Sequence, residues 1–595
     1  MNCRLKNSKT APFLIDVTKN VYSEDIEKAE LFNDYFSSVF TEDDKKLPTF
    51  VKPNHVTMQN ISFHEDVVRL ALRKMKASLS VDPDGLCAFF LKNISFSVCR
   101  PLSHIFKISY ETGILPDSWK KAVVVALHKK GDMSKVDNYR PISLCSVVCK
   151  LMESIINSQL LIHLETHKLF SENQFGFRKN KSCSLQLLKC KSEWTKLLDV
   201  GESVDIIYID FCKAFDSVSH PKLLSKLEAF GLDQKTCFWI RNFLSDRSQQ
   251  VKINSALSSS QNVISGVPQG SVLGPTLFLL YVNDLLEIGI QSHVYLFADD
   301  VKIFNTSSNH EKLAYDLNLI SEWSRKWQLK MSLPKCSVLY LGRNNPKHQY
   351  QLSDYILAND NINVKDLGVT IDSHLSFSSH CYNISKKAKT ICNMILRSFS
   401  TRNPDILIKC FIVYVRPILE YASIVWNPHL KKDINILENV QKNFTKRILT
   451  VKTSYNERLK HLSIETLEKR RLVFDLSLMY SIVKNNVLPF NEHFTLNENV
   501  TRSNHPWKLQ MQKYHHNVRK NEFTNRVVHV WNSLPLSIVE SQNLKEFTRK
   551  LNKHDLSKYL LGTLLVLIIR PSGPFVRLNI HVVPLCVCVR KSSGI

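Results

Sequence analysis

Glycine is scarce, with 15 in 595 residues. That excludes collagen-like and glycine-rich low-complexity chains, and it makes any local cluster of glycines informative. The 15 cysteines are scattered from Cys3 to Cys588; no Cys-x-x-Cys pair has histidines at finger spacing, and no secretory signal opens the chain. A disulfide framework and a structural zinc site are therefore not expected, and the thiols read as those of a reduced cytosolic or nuclear protein. No apolar run reaches the roughly 20 residues that cross a bilayer. The longest, residues 559–569, contains Gly562 and stops at Arg570, so no membrane anchor is expected. Acid is also in deficit: 79 Lys and Arg oppose 54 Asp and Glu, a net charge of +25. Such an excess favours a polyanionic partner through phosphate neutralisation and counterion release, nucleic acid ahead of membrane. A hydrophobic fraction of 44% and an aromatic fraction of 10% exclude a disordered chain. The length suits roughly three to five domains.

Hydropathy patterning divides the chain. Residues 1–60 open with helical spacing (Ile26, Ala29, Phe32, Phe36) and pass into a polar stretch with Pro48 and Pro53, read as an N-terminal extension and linker. Helical segments over 67–75, 102–110 and 151–164 alternate with a strand over 122–127, an α+β pattern. Strands are expected over 204–211, 249–253 and 295–304, with helices around 223–230 and 277–286. After about residue 400 the pattern is almost wholly helical and basic, with helices over 441–447, 455–460 and 465–484. The tail, 559–595, has no usable period and reads as sequence foreign to the rest.

Three segments carry chemistry. The apolar run Ile206-Ile207-Tyr208-Ile209-Asp210-Phe211 reads as a strand buried on both faces that ends in a carboxylate. A buried, unpaired charge costs several kcal/mol, so Asp210 is paired, exposed at the strand end or bound to a cation. Val294 to Phe304 is two apolar half-strands broken by Asp299-Asp300, a hairpin with acid at its tip. Adjacent like charges repel unless a divalent metal neutralises them. Together the three carboxylates offer the oxygen-rich site that two Mg²⁺ ions need to clamp attacking and leaving oxygens in phosphoryl transfer. Asp-Asp pairs are also ordinary turn residues, so these carboxylates alone do not decide the matter. The third segment does more: Ser265-Gly266-Val267-Pro268-Gln269-Gly270-Ser271-Val272-Leu273-Gly274-Pro275 places three of the 15 glycines in nine residues before a helical stretch. Such a loop lets backbone approach a substrate closely and aims N–H groups at phosphate, base or sugar.

From about residue 20 to about 555 the chain resembles the reverse transcriptases of non-LTR, LINE-type retrotransposons, most closely the jockey and chicken-repeat group. The marks in chain order are Leu115-Pro116-Asp117-Ser118-Trp119-Lys120, Lys129-Lys130-Gly131-Asp132, Asn138-Tyr139-Arg140-Pro141-Ile142-Ser143-Leu144 and Asn173-Gln174-Phe175-Gly176-Phe177-Arg178. Then come Tyr208 to Asp216, the 266–275 loop, Phe297-Ala298-Asp299-Asp300, Lys335-Cys336, Leu367-Gly368-Val369 and Tyr414 to Tyr421.

The resemblance implies a right-hand polymerase of fingers, palm and thumb with a mostly helical C-terminal region. Fingers and palm would lie within 61–340, the palm end and thumb start within 341–400, and a basic helical region within 401–558. It implies that Asp210, Asp299 and Asp300 are catalytic and bind Mg²⁺ or Mn²⁺, Asp210 and Asp299 being the direct ligands. Phe215 would close over the sugar and exclude a 2′-hydroxyl, Gln269 and Gly270 would lie against nucleotide and template, and Arg140, with Arg178 in the same neighbourhood, would contact triphosphate or template. Lys335 would donate a proton to the pyrophosphate leaving group; its bland alternative is a solvated surface lysine. Asp216 would support the fold rather than bind metal. The partners implied are an RNA template, a DNA primer and deoxynucleoside triphosphates. The location implied is intracellular, in nucleus or cytoplasm. Full-length relatives carry an endonuclease and often Cys/His elements, and neither is found here, so the chain alone is not expected to nick DNA. Two other readings remain: a catalytically silent nucleic-acid-binding remnant, and an RNA-dependent RNA polymerase. The latter is disfavoured by the aromatic rather than acidic residue at 215 and by Ala298 before the Asp pair.

Overall fold

The computed structural model describes residues 12–16, 18–50, 56–358, 362–449, 453–485, 487–497 and 505–561. The expected tail is thus almost wholly outside the described residues. The chain is α+β. Its centre is a four-stranded antiparallel sheet in which Val204–Ile209 lies between Ser337–Leu341 and Asp300–Thr306, and His293–Phe297 pairs with the outer edge of Asp300–Thr306. The β-branched run at 204–209 suits this position because the two faces of the strand alternate. Ile207 and Ile209 enter one core, with Val301, Ile303 and the 274–282 helix. Val204 and Ile206 enter another, with Phe304, Trp194 and the C-terminal helices. One strand therefore joins the two largest cores of the molecule.

A second sheet pairs Lys121–His128 with Tyr139–Leu144 antiparallel and with Arg247–Ile253 parallel. The expected helices and strands up to residue 304 are present with ends moved by a few residues; the 277–286 stretch is an α-helix, Gly274–Val282, that tightens into a 3₁₀ turn, Asn283–Leu286. The helix Val147–Thr166 is, among the described residues, long and apolar enough by composition to cross a membrane. Here it is a core helix, with Met152, Ile156 and Leu160 buried and a buried glutamate, Glu153, in its middle.

Residues 25–50 are packed rather than loose. The helix Asp25–Ser37 lays Ala29, Phe32 and Phe36 against Val124, Tyr139, Val251 and Ile253 of the second sheet. Phe50 meets Trp327 edge-on and lies tilted against Phe230. Beyond the central sheet a hairpin, Asn363–Asp366 with Val369–Asp372, leads into the helix Ser378–Ser398. Helices follow, among them Lys431–Ile448 and Leu467–Asn485.

Candidate active site

The sheet register brings the acids together. Ile209 is paired with Val301, so Asp210 and Asp300 follow at the same end of neighbouring strands. Phe297 is paired with Asp300, leaving Ala298-Asp299 as a two-residue turn at that end. Ala298 is left-handed at φ 56°, a conformation that costs an alanine of order 1 kcal/mol. Gln174 holds it there: its buried Oε1 accepts from the N–H of Ala298 at 3.0 Å and of Gly176 at 2.8 Å. A Cβ on Gly176 would stand 2.4 Å from the Ala298 nitrogen, which explains the glycine in Asn173-Gln174-Phe175-Gly176.

Asp210, Asp299 and Asp300 line one open cavity of about 630 Å³. Burial, then the neighbouring Asp210 charge, lifts the Asp299 carboxyl above its ordinary range, against the pull of Arg140 and Lys129. Asp300 reaches solvent at the cavity mouth, yet surrounding protein strips much of its hydration, and Asp299, Asp210 and Asp366 push it further, to about 7. Lys335 Nζ lies 3.4 Å from Asp210 Oδ1. Among the described residues no three Asp, Glu, His or Cys side chains already form a metal-holding cluster. The donor set is nonetheless all oxygen and mutually repulsive, the chemistry that suits a hard divalent cation.

The same cavity carries cationic side chains. Lys129, Arg140, Lys213 and Lys335 all line it. Burial first, then the like charges of Arg140, Lys213 and Lys335, lowers the Lys129 ammonium below its usual range. Lys129 directly follows the strand Lys121–His128, and Arg140 is the second residue of its partner, their pairing continued by Lys129 N–H to Asn138 O at 2.8 Å. Arg140 was expected at such a site; Lys129 and Lys213 were not, because a lysine at a turn carries no signal of what it faces.

Phe215 is half-buried on the cavity wall, stacked on Phe278 with ring centres 4.3 Å apart and edge-on to the exposed Phe177 at 6.2 Å. The 266–275 loop closes the floor. Gly270 is at φ 127°, and a Cβ there would meet Ser143 O at 2.5 Å; next to it Gln269 O accepts from Ser143 N at 2.8 Å. Gln269 Nε2 is 2.8 Å from both oxygens of Asp216. Asp216, raised to about 6 by burial, therefore holds Gln269 in place. Glu153 fixes the far end of the loop by accepting from Val272 and Leu273 N–H at 2.7 and 3.0 Å.

Arg178 stands apart from the cavity residues. Its guanidinium grips Glu165 through two contacts, 3.1 and 2.8 Å, and donates to Ser171 O at 2.6 Å. It is spent on the wall behind the hairpin turn and does not line the cavity, whereas its neighbour Phe177 does.

Residues 127–371, which include all the cavity residues named above, match the family model described as reverse transcriptase (RNA-dependent DNA polymerase). These residues are a reverse transcriptase domain. Similar curated proteins include the RNA-directed DNA polymerase from mobile element jockey of Drosophila melanogaster, 28% identical over 58% of this chain and 39% of that protein. The probable RNA-directed DNA polymerase from transposon X-element of the same organism is 27% identical over 62% of this chain and 42% of its own. The retrovirus-related Pol polyprotein of the type-1 retrotransposable element R2 of Popillia japonica is 26% identical over 29% of the chain and 24% of its own. The chain spans about two fifths of the length of the jockey and X-element relatives it matches.

Proposed function

We propose that the chain extends a DNA 3′ end on an RNA template with deoxynucleoside triphosphates, inside the cell, as the polymerase step of retrotransposition. The single observation that carries this is the register that brings Asp210, Asp299 and Asp300 to one end of the central sheet, in a cavity that Lys129, Arg140 and Lys213 also line. The acids suit cations and the basic side chains a triphosphate, which is the pairing of charges nucleotidyl transfer needs.

In this reading the central sheet is the palm, the second sheet and the helices around it the fingers, and the helices from Ser378 the thumb and C-terminal region. Two Mg²⁺ ions, with Asp210 and Asp299 as ligands and Asp300 beside them, would lower the charge on the attacking and leaving oxygens; Mn²⁺ has the same ligand preference. Arg140 and Lys129 hold the triphosphate by charge-assisted hydrogen bonds. Phe215, backed by Phe278, presents a rigid wall to C2′ of the sugar, where a hydroxyl would clash. Gln269 and Gly270 set the depth of the base pair. Lys335, within reach of Asp210, hands a proton to the departing pyrophosphate.

The test is incorporation of dTTP on oligo(dT)-primed poly(rA), with and without Mg²⁺. Metal-dependent product is expected. Template binding with no incorporation would instead favour a binding remnant, and equal use of UTP would favour an RNA polymerase.

A further inference from the structure

We infer that residues 40–46, outside the reverse transcriptase match, form a strap that positions the turn carrying Phe215 and Asp216 and so governs how closely the cavity fits a nucleotide sugar. This rests on the polymerase reading above. The turn from Cys212 to Ser219 has no regular secondary structure; Phe211, just before it, bridges to Met331. Its own support is local: Asp216 N–H to Lys213 O at 2.8 Å, and Ser217 Oγ to Cys212 and Lys213 carbonyls. Cys212 N–H also donates to Lys330 O at 2.8 Å, and the rest comes from two further segments. The glycine-rich loop gives Val267 N–H to Phe215 O and Gly266 N–H to Val218 O, each at 2.8 Å. The strap completes the arrangement. Thr41 N–H donates to Ser265 Oγ at 2.8 Å, and the same hydroxyl donates to Asp216 O at 2.8 Å, a relay from strap to turn through one side chain. Asp43 accepts from Ser219 Oγ at the end of the turn. Asp44 pairs at 2.9 Å with Lys222, whose side chain is fully buried.

The strap can transmit constraint because it is anchored on both sides to different bodies. Upstream, Asn33 donates to Ser259 O at 2.9 Å, and Phe32 and Phe36 sit in the core of the second sheet. Downstream, Gln328 donates to Glu42 O at 2.9 Å and Phe50 packs on Trp327. A segment tied on one side to the second sheet and on the other to Trp327 and Gln328, just after the helix 310–326, fixes the turn it touches relative to both, and a displacement of about 1 Å at a substrate-positioning group is enough to cost up to about a hundredfold.

The experiment uses the full chain with Asp43→Ala and, separately, Ser265→Ala, each checked for native circular dichroism; the second keeps the test alive if the first does not fold. Hydrogen exchange at the Gly266 and Val267 amides is expected to speed up in both, and the preference for dTTP over UTP in primer extension to fall about tenfold. Unchanged exchange at those amides overturns the strap whether or not the wild type polymerises. Faster exchange with unchanged sugar preference overturns its role in fit. A wild type that makes no product refutes the polymerase reading instead, and leaves the exchange result to decide the strap.

Discussion

A phenylalanine ring stacked at 4.3 Å on a second one cannot swing aside for a bulkier sugar. Phe215→Val is therefore expected to raise the relative efficiency of UTP over dTTP by about 10- to 200-fold, the range for a steric change of this size in a pocket, measured as the ratio of kcat/KM on the same primed template. An unaltered ratio would remove Phe215 from sugar selection. Gly270 offers a second residue-level test. At φ 127° with Ser143 O 2.5 Å from an added Cβ, Gly270→Ala must move either its own loop or the strand Tyr139–Leu144. A loss of activity of tenfold or more is expected, with a stability cost of about 1–3 kcal/mol, read by urea unfolding. Lys335 should separate chemistry from binding: Lys335→Ala is expected to lower kcat by about 10²–10⁴ while the affinity for primed template stays the same, and an affinity loss without a kcat loss would make it a backbone contact. These residues were legible through the resemblance, whose motifs single them out; by type alone Phe215 reads as a core phenylalanine and Lys335 as a surface lysine. Lys129, Lys213 and Gln174 were not. A turn lysine and a buried glutamine look like any others until the fold shows what they face, and the pairing of Arg178 with Glu165 was equally hidden.

At the scale of elements, the strand Asp300–Thr306 is tied to the hairpin 363–372 by the buried ion pair of Lys302 with Asp366. Removing one partner leaves a buried charge, so Lys302→Met should destabilise by about 3–5 kcal/mol, and the double replacement Lys302→Met, Asp366→Leu should recover most of it. A single variant as stable as the wild type in urea would contradict this. The helix Cys183–Asp199 carries a buried lysine, Lys191, which donates to Val425 O at 2.6 Å. Burial lowers its ammonium to about 7. Because the folded value is depressed below the unfolded one, near 10.5, the folded state binds fewer protons in between, and stability rises with pH from about 7 to about 10. Lys191→Met should flatten that rise in denaturant titrations at stepped pH. The strands at 204–209 and 300–306 were readable from their β-branched and aromatic runs. The hairpin 363–372 was not, since four-residue strands with Lys365 and Asp366 show no period. Nor was the helix Ser378–Ser398, whose sequence is rich in Ser and Lys and earns its place by packing against Lys431–Ile448.

Across the whole molecule, +25 charges make binding to nucleic acid a salt-sensitive event. Affinity for an RNA–DNA heteroduplex should fall at least tenfold between 50 and 200 mM salt, in line with the release of counterions from several phosphates, and a flat response in fluorescence anisotropy would count against a backbone grip. The α+β class and the cavity acids were legible from pattern and motif. The packing of residues 25–50 into the body was not, because proline and acid over 43–53 imitate a linker, and only tertiary partners such as Lys222 and Ser265 reveal what those acids and amides meet.

The most direct measurement is primer extension on oligo(dT)-primed poly(rA), with dTTP and Mg²⁺, by purified wild-type chain beside Asp299→Asn. Product from the wild type and none from the variant is the expected result, since the amide keeps the shape of the turn and removes the charge that would hold the ion. Equal product from both would take the chemistry away from the Ala298-Asp299 turn, and no product from either, with template still bound, would contradict polymerase activity for this chain.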